Sequence, residues 1–211
     1  DIPALPAMAT WVNLRELGAK GDGETDDTKA IQEAIDKYDN IYVPQGWYRI
    51  TETLKMKPNT KLIGLHPFGT QFRLNESTAA FSGFGGPKAM VESSEGGANM
   101  LVGIGINTGG YNYRAVGVKW MANADSYMND VKFVGGHGGL WKPKPGVAEP
   151  RGWWERPVRI SSPDNPVAAS GMDLAWDNQY WSLWVTNNGG GTFKDIWTAS
   201  TYATNGFYAK I

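Results

Sequence analysis

Along residues 26–38 the apolar side chains Ala30, Ile31, Ala34, Ile35 and Tyr38 recur at three- and four-residue intervals, while Lys29, Glu33, Asp36 and Lys37 take the other side. This period predicts an amphipathic helix with one stripe meant for burial. Thr25 stands where a side-chain oxygen would cap the free N–H groups, and Asp26 and Asp27 sit at the positive end of the helix dipole. Asp39-Asn40 ends the helix. The pattern then changes to short strand-like runs, Ile41-Tyr42-Val43 and Trp47-Tyr48-Arg49-Ile50, around the turn Pro44-Gln45-Gly46.

The same strand and turn rhythm continues. Residues 53–56 and 61–65 flank a Pro58-Asn59 turn, and a polar, glycine-rich connection over 75–88 leads to runs at 89–92 and 100–106. In the latter, apolar residues alternate with glycine, as suits a sheet that another backbone approaches closely. Residues 115–120 and 128–134 read as two strands of one further coil, joined at Asn123-Ala124-Asp125. A loop excursion over 136–166, rich in proline and carrying a Trp-Trp pair, interrupts the rhythm, which resumes at 168–174, 181–186, 192–197 and 207–211. No fixed repeat period is visible, so the solenoid reading rests on strand rhythm. The last run has no polar cap, although a solenoid needs one over its final apolar face. Residues 1–211 are therefore expected to form a single domain that is a piece of a longer solenoid.

The segment GDGETDDTKAIQEAID at 21–36, followed by VPQGWYRI at 43–50, resembles the entrance of the pectate-lyase-superfamily parallel β-helix. That family includes glycoside-hydrolase-28-related proteins, tandem β-helix exo-β-1,3-glucanases and phage tailspikes. The strict motif covers residues 11–65, and the remainder is compatible with it. The resemblance implies an all-β, right-handed parallel β-helix with an amino-terminal cap, including the helix, over 11–50, acting on or binding an extracellular polysaccharide. The start, DIPALPAMATWVN, lacks the charged and apolar regions of a signal peptide. Either the protein is not exported or this is a mature end, and the resemblance favours the second and a secreted or extracytoplasmic location. Capping and turn chemistry explain the acidic triplet Asp22, Asp26 and Asp27 without a metal or a catalytic role.

With 19% charged residues and a net charge of −1, the chain lacks the basic excess of a nucleic-acid binder. It has no cysteine and no apolar run of membrane-spanning length. Two distant histidines, His66 and His137, make a zinc or iron site unexpected, while calcium held by carboxylates and carbonyls stays open. No cofactor is expected, since GxSxG, P-loop and dinucleotide patterns are absent. What changes the picture is 27 glycines with 10 tryptophans and 9 tyrosines: many tight turns carrying broad aromatic faces, which stack on sugars as readily as they fill cores.

Two stretches concentrate candidate chemistry. The excursion places Trp141, Trp153 and Trp154 beside Lys142, Lys144, Arg151, Arg156 and Arg159, which reads either as a substrate-binding loop or as a loop packed down by its own aromatics. Asp173 and Asp177, flanked by Trp176, Tyr180 and Trp181, are the best candidate carboxylate pair. On an extended strand they would stand about 13 Å apart, beyond the ~5 to 9.5 Å of glycosidase pairs, so a turn between them or a partner from a neighbouring coil is required. Asp177-Asn178 also reads as a turn, with Asp173 a solvated strand residue. By parity, Asp173, Asp177 and Trp181 are expected to face outward and Trp176 and Trp184 to fill the core. The catalytic candidates are Asp173 and Asp177, and the substrate-binding candidates are Trp141, Trp153, Trp154, Arg156 and Trp181. The leading reaction is glycoside hydrolysis by a carboxylate pair. The alternatives are β-elimination by a polysaccharide lyase and a non-catalytic glycan-binding or tailspike-like module. The expected partners are a polysaccharide and, at the carboxy-terminal edge, further coils or another copy.

Overall fold

The computed structural model describes residues 2–83, 85–109, 112, 114–134, 180–198 and 207–210. Strands β1 (Val12–Asn13) and β2 (Asp22–Asp26) and helix α1 (Thr28–Lys37) form the first turn of a solenoid. The second turn is β3 (Asn40–Tyr42), β4 (Gly46–Arg49) and β5 (Leu54–Lys55), and the third is β6 (Lys61–Ile63), β7 (Thr70–Arg73) and β8 (Lys88–Glu92). Then come β9 (Met100–Val102), β10 (Gly105–Asn107) and β11 (Ala115–Trp120), followed by β12 (Tyr127–Asn129), β13 (Lys132–Val134) and β14 (Leu183–Val185). The last described turn is β15 (Thr192–Lys194), β16 (Trp197–Thr198) and β17 (Phe207–Ala209). Like positions stack into three sheets, β1-β3-β6-β9-β12-β15, β2-β4-β7-β10-β13-β16 and β5-β8-β11-β14-β17, here the first, second and third sheets. Strands of successive turns pair in parallel. This is the parallel β-helix that the sequence predicts.

The core is three ladders of apolar side chains, one per sheet. Ile41, Leu62, Leu101 and Met128 stack in the first; Tyr48, Phe72, Ile106 and Phe133 in the second; Leu54, Val91, Val118 and Leu183 in the third. All are buried. Connections between these strands vary from two residues to dozens, so the ladders repeat in space without repeating at a fixed interval in sequence.

Several sequence expectations are corrected. The run 100–106 is not one strand: Gly103, at φ +63, turns the chain from the first sheet into the second. Asp130 (φ 49) and Asp195 (φ 52) do the same within 127–134 and 192–198. Consequently 128–134 holds two strands rather than one, β12 and β13, and with β11 the segment 115–134 supplies one strand to each sheet.

The helix starts at Thr28, and Thr25 is not its cap. Thr25 instead donates its hydroxyl to Asp22, whose carboxylate also accepts the N–H groups of Glu24 and Thr25 and so fixes a turn. Asp26 accepts the Thr28 N–H at 3.0 Å and the Thr51 hydroxyl at 2.7 Å, tying the helix start to the second turn. Asp27 is buried and accepts the N–H groups of Lys20 and Gly21 at 2.7 and 2.9 Å. Gly21 needs its left-handed φ of +61, and a Cβ there would lie 2.8 Å from the Tyr48 ring. Asp22, Asp26 and Asp27 are thus all engaged in holding the cap.

Candidate functional site: the outer face of the third sheet

From the fourth turn onward the connections between the first and second sheets are two-residue corners, at 103–104, 130–131 and 195–196, whereas after the second turn those entering the third sheet run over 74–87, 108–114, 135–182 and 199–206. The third sheet is therefore the one bordered by long connections, which are where a rigid scaffold carries its binding groups. Inter-strand register places Lys55, Glu92, Lys119, Trp184 and Tyr208 in one row, each beside a member of the inward ladder or its continuation at Phe207. Successive side chains on a strand point to opposite faces, so this row lies on the outside.

Within the row, the Lys119 ammonium lies 5.0 Å from the centre of the Trp184 ring, a cation–π contact. Trp181 stacks on Tyr208 with centroids 4.3 Å apart and an interplanar angle of 13°, and its ring stands 5.5 Å from Trp184 and 5.6 Å from Tyr180. Tyr180 donates its hydroxyl to the Gly85 carbonyl at 2.8 Å, fastening the return of the chain to the β7–β8 connection. The Glu92 carboxylate and the Lys119 ammonium are half-buried on adjacent strands, and neither has an ion-pair or hydrogen-bond partner among the described residues. A carboxylate, an ammonium and three aromatic rings therefore lie along one outer row, and among the described residues the two charges have no ion-pair partner.

Of the residues predicted from sequence, Trp181 lies on this face. Asp173, Asp177, Trp141, Trp153, Trp154 and Arg156 lie outside the described residues, as do Trp176 and the 136–166 excursion. The parity argument for Trp184 is overturned. Leu183 takes the core position, and Trp184 points outward beside Lys119 and Trp181. Strand β14 begins only at Leu183, so the alternation that assigned opposite faces to Trp181 and Trp184 does not extend back to Trp181. Glu92, Lys119 and Tyr208 were not anticipated. Aligning each strand on its buried residue, Val91, Val118, Leu183 and Phe207, would have put the following residues in one row, but that alignment requires the register.

A second concavity, about 770 Å³, opens where the first two sheets meet and is lined by Arg15, Asp22, Tyr42, Gln45, Trp47 and Phe68. Its carboxylate is no proton donor near neutrality: the Thr25 hydroxyl, with the N–H groups of Thr25 and Glu24, holds the Asp22 pKa down to about 2. Among the described residues no three acidic or histidine side chains are grouped so as to hold a metal ion, and no helix is long and apolar enough to cross a membrane.

A capped parallel β-helix of three stacked parallel sheets is a pectate-lyase-like solenoid. The chain belongs to the family described as "Rhamnogalacturonase A/epimerase, pectate lyase-like", whose model matches residues 11–193. Over shorter stretches it is similar to a "Probable glucan endo-1,3-beta-glucosidase" of Arthroderma benhamiae, with 46% identity over 57 residues, 26% of this chain and 6% of that protein. It is also similar to a "Preneck appendage protein" of Bacillus phage PZA, 43% over 53 residues, 25% of this chain and 6% of that protein. An "Alginate lyase 7" of Azotobacter vinelandii is 41% identical over 64 residues, 25% of this chain and 8% of that protein. The matched part thus spans well under a tenth of each of these relatives.

Proposed function

We propose that this chain is part of a polysaccharide-active enzyme, a glycoside hydrolase whose glycan lies against the outer face of the third sheet. The observation that carries the reading is the register that sets Glu92 and Lys119, which have no ion-pair partner among the described residues, in the same row as Trp184 and Tyr208, with Trp181 stacked beside them. Family membership and relatives named as a glucan glucosidase and an alginate lyase support a glycan substrate. In hydrolysis, one carboxylic acid gives its proton to the departing glycosidic oxygen as the bond from the anomeric carbon breaks. A carboxylate takes the proton of the water whose oxygen replaces it. Asp173 and Asp177 are the proposed pair, and Glu92 supplies a carboxylate from a neighbouring coil for whichever of them has no partner within range. Trp141, Trp153, Trp154, Arg156 and Trp181 are the proposed substrate contacts.

A second reading, β-elimination on a uronate-containing glycan, is favoured by one feature: among the described residues the Lys119 ammonium has no carboxylate partner, so it can neutralise a substrate carboxylate. Incubation with soluble β-1,3-glucan, rhamnogalacturonan and alginate separates the readings. New reducing ends without ultraviolet absorbance mean hydrolysis, an absorbing unsaturated product means elimination, and neither product leaves a binding module. Glu92→Gln and Asp177→Asn are expected to lower cleavage about 10²- to 10⁴-fold while the melting temperature stays close to parental. Parental turnover in both variants would overturn these assignments.

A further inference from the structure

On the outer face of the second sheet, register aligns Trp47, Gln71, Gly105, Lys132 and Trp197 in one row from β4 to β16. The row has a gap in its middle. A Cβ at Gly105 would stand 2.1 Å from the Pro67 carbonyl oxygen, so the absence of a side chain there is what lets residues 66–69 lie over the sheet. That loop raises Phe68 into the row, its ring 5.9 Å from Trp197 in an edge-to-face contact, and Phe68 also forms a wall of the cleft that Trp47 lines. Trp47, Phe68 and Trp197 are 49%, 48% and 44% exposed. Three half-exposed rings therefore line a strip four strand steps long, about 19 Å at the usual spacing, with Trp47 toward one end and Phe68 and Trp197 together toward the other.

We infer that this strip is a second glycan-binding site, separate from the face assigned to catalysis, which takes an extended pyranose chain lying parallel to the solenoid axis. The apolar faces of sugar rings stack on aromatic side chains, and a strip of this length suits an oligosaccharide rather than one sugar. A polar group stands beside the first ring: the half-buried Arg73 side chain has its guanidinium stacked over Trp47 at 5.1 Å. Among the described residues no free carboxylate pair lines the strip. Asp22 is committed to its turn, and Lys132 is paired with Asp130 at 3.1 Å. It is built to hold a chain, not to cut it. In the whole molecule it would tether polymer while the third sheet acts on it.

The inference rests on the glycan-active reading, and the test keeps the two apart. Retention in native gels cast with β-1,3-glucan or with alginate is compared for the parental chain, Trp47→Ala and Phe68→Ala, alongside cleavage of short soluble oligosaccharides of the same glycans. The expected result is retention by at least one polymer that falls five-fold or more in both variants, with oligosaccharide cleavage and melting unchanged. The strip also stands if the parental chain cleaves nothing yet is retained through Trp47 and Phe68, although the enzymatic reading then falls. Parental retention in both variants, or no retention of the parental chain by either polymer, overturns the strip and leaves the enzymatic reading to its own assay.

Discussion

Gln32 on α1 pairs with Lys55 on β5 as a neighbouring strand would. Its side-chain Nε2 donates to the Lys55 carbonyl at 3.0 Å, and its Oε1 accepts the Lys55 N–H at 2.8 Å. Strand β5 is the edge of the third sheet, and an open edge invites pairing with another chain. The helix therefore does more than cover apolar surface. One amide side chain satisfies both backbone groups at the point where the ladder has no further strand.

Gln32→Ala is accordingly expected to cost about 1–3 kcal/mol, two hydrogen bonds' worth, and to leave the β5 edge open. Gln32→Glu should be worse than a surface change of charge, because its second oxygen would face the Lys55 carbonyl with no donor. Chemical denaturation of both variants checks this. Gln32→Ala as stable as the parent would show that the pairing contributes nothing.

Cap chemistry also sets an acid limit. Asp22 has its pKa lowered to about 2 by the Thr25 hydroxyl first and then by the Thr25 and Glu24 N–H groups. A depressed folded-state pKa contributes stability that is present above the unfolded value near 3.8 and is lost as pH falls through the folded one. Melting temperature is therefore expected to drop between about pH 4 and pH 2, and Asp22→Asn should flatten that part of the profile. An unchanged acid profile in Asp22→Asn would remove Asp22 from the account.

Tryptophans of one chain should differ sharply in what their removal does. Trp120 is fully buried and donates its indole N–H to the Gly190 carbonyl at 2.9 Å, so Trp120→Ala is expected to cost about 3–5 kcal/mol. Trp181 and Trp184 lie half-buried on the outer face, so their alanine variants should melt much closer to the parent. Trp181→Ala is expected to weaken glycan binding. Thermal melts alongside polysaccharide affinity separate these outcomes, and the assignment fails if Trp184→Ala unfolds the domain.

The cap was legible in the sequence because its determinants are local. Gly21, Asp22, Asp27 and the Ile31, Ala34, Ile35 stripe act within a few residues of one another, and their spacing specifies a turn and a helix whatever follows. Even there, Thr25 was misread as the cap, since the distinction between a helix N-terminus and a preceding turn lies in which N–H groups Asp22 and Asp26 accept. The outer row of Glu92, Lys119, Trp184 and Tyr208 was not legible. Its members come from four coils separated by connections of different length, so only the register brings them together. Trp184 shows the same limit in a single residue: parity along the chain counts correctly only inside a strand, and β14 starts one residue before it.

The last described turn leaves an apolar end. Phe193 and Phe207 continue the inward ladders of the first and third sheets, yet they are 38% and 49% exposed, whereas Met128 and Leu183 in the preceding turn are buried. Together with Val185 and Ile196, Leu183 and the two phenylalanines line an apolar hollow of about 200 Å³. Removing such rings from water is worth roughly 2–3 kcal/mol each, which favours whatever covers them, a further coil or another copy. The 211-residue chain is thus expected to self-associate at micromolar concentration in a way that weakens on cooling, as apolar contacts do. Phe193→Ser with Phe207→Ser should shift it toward monomer without lowering the melting temperature much, because both rings are already half in solvent. Sedimentation velocity of the two proteins decides the matter: a parental chain that is monodisperse as a monomer, or a double variant that associates as strongly as the parent, would show that these two side chains do not form a docking surface.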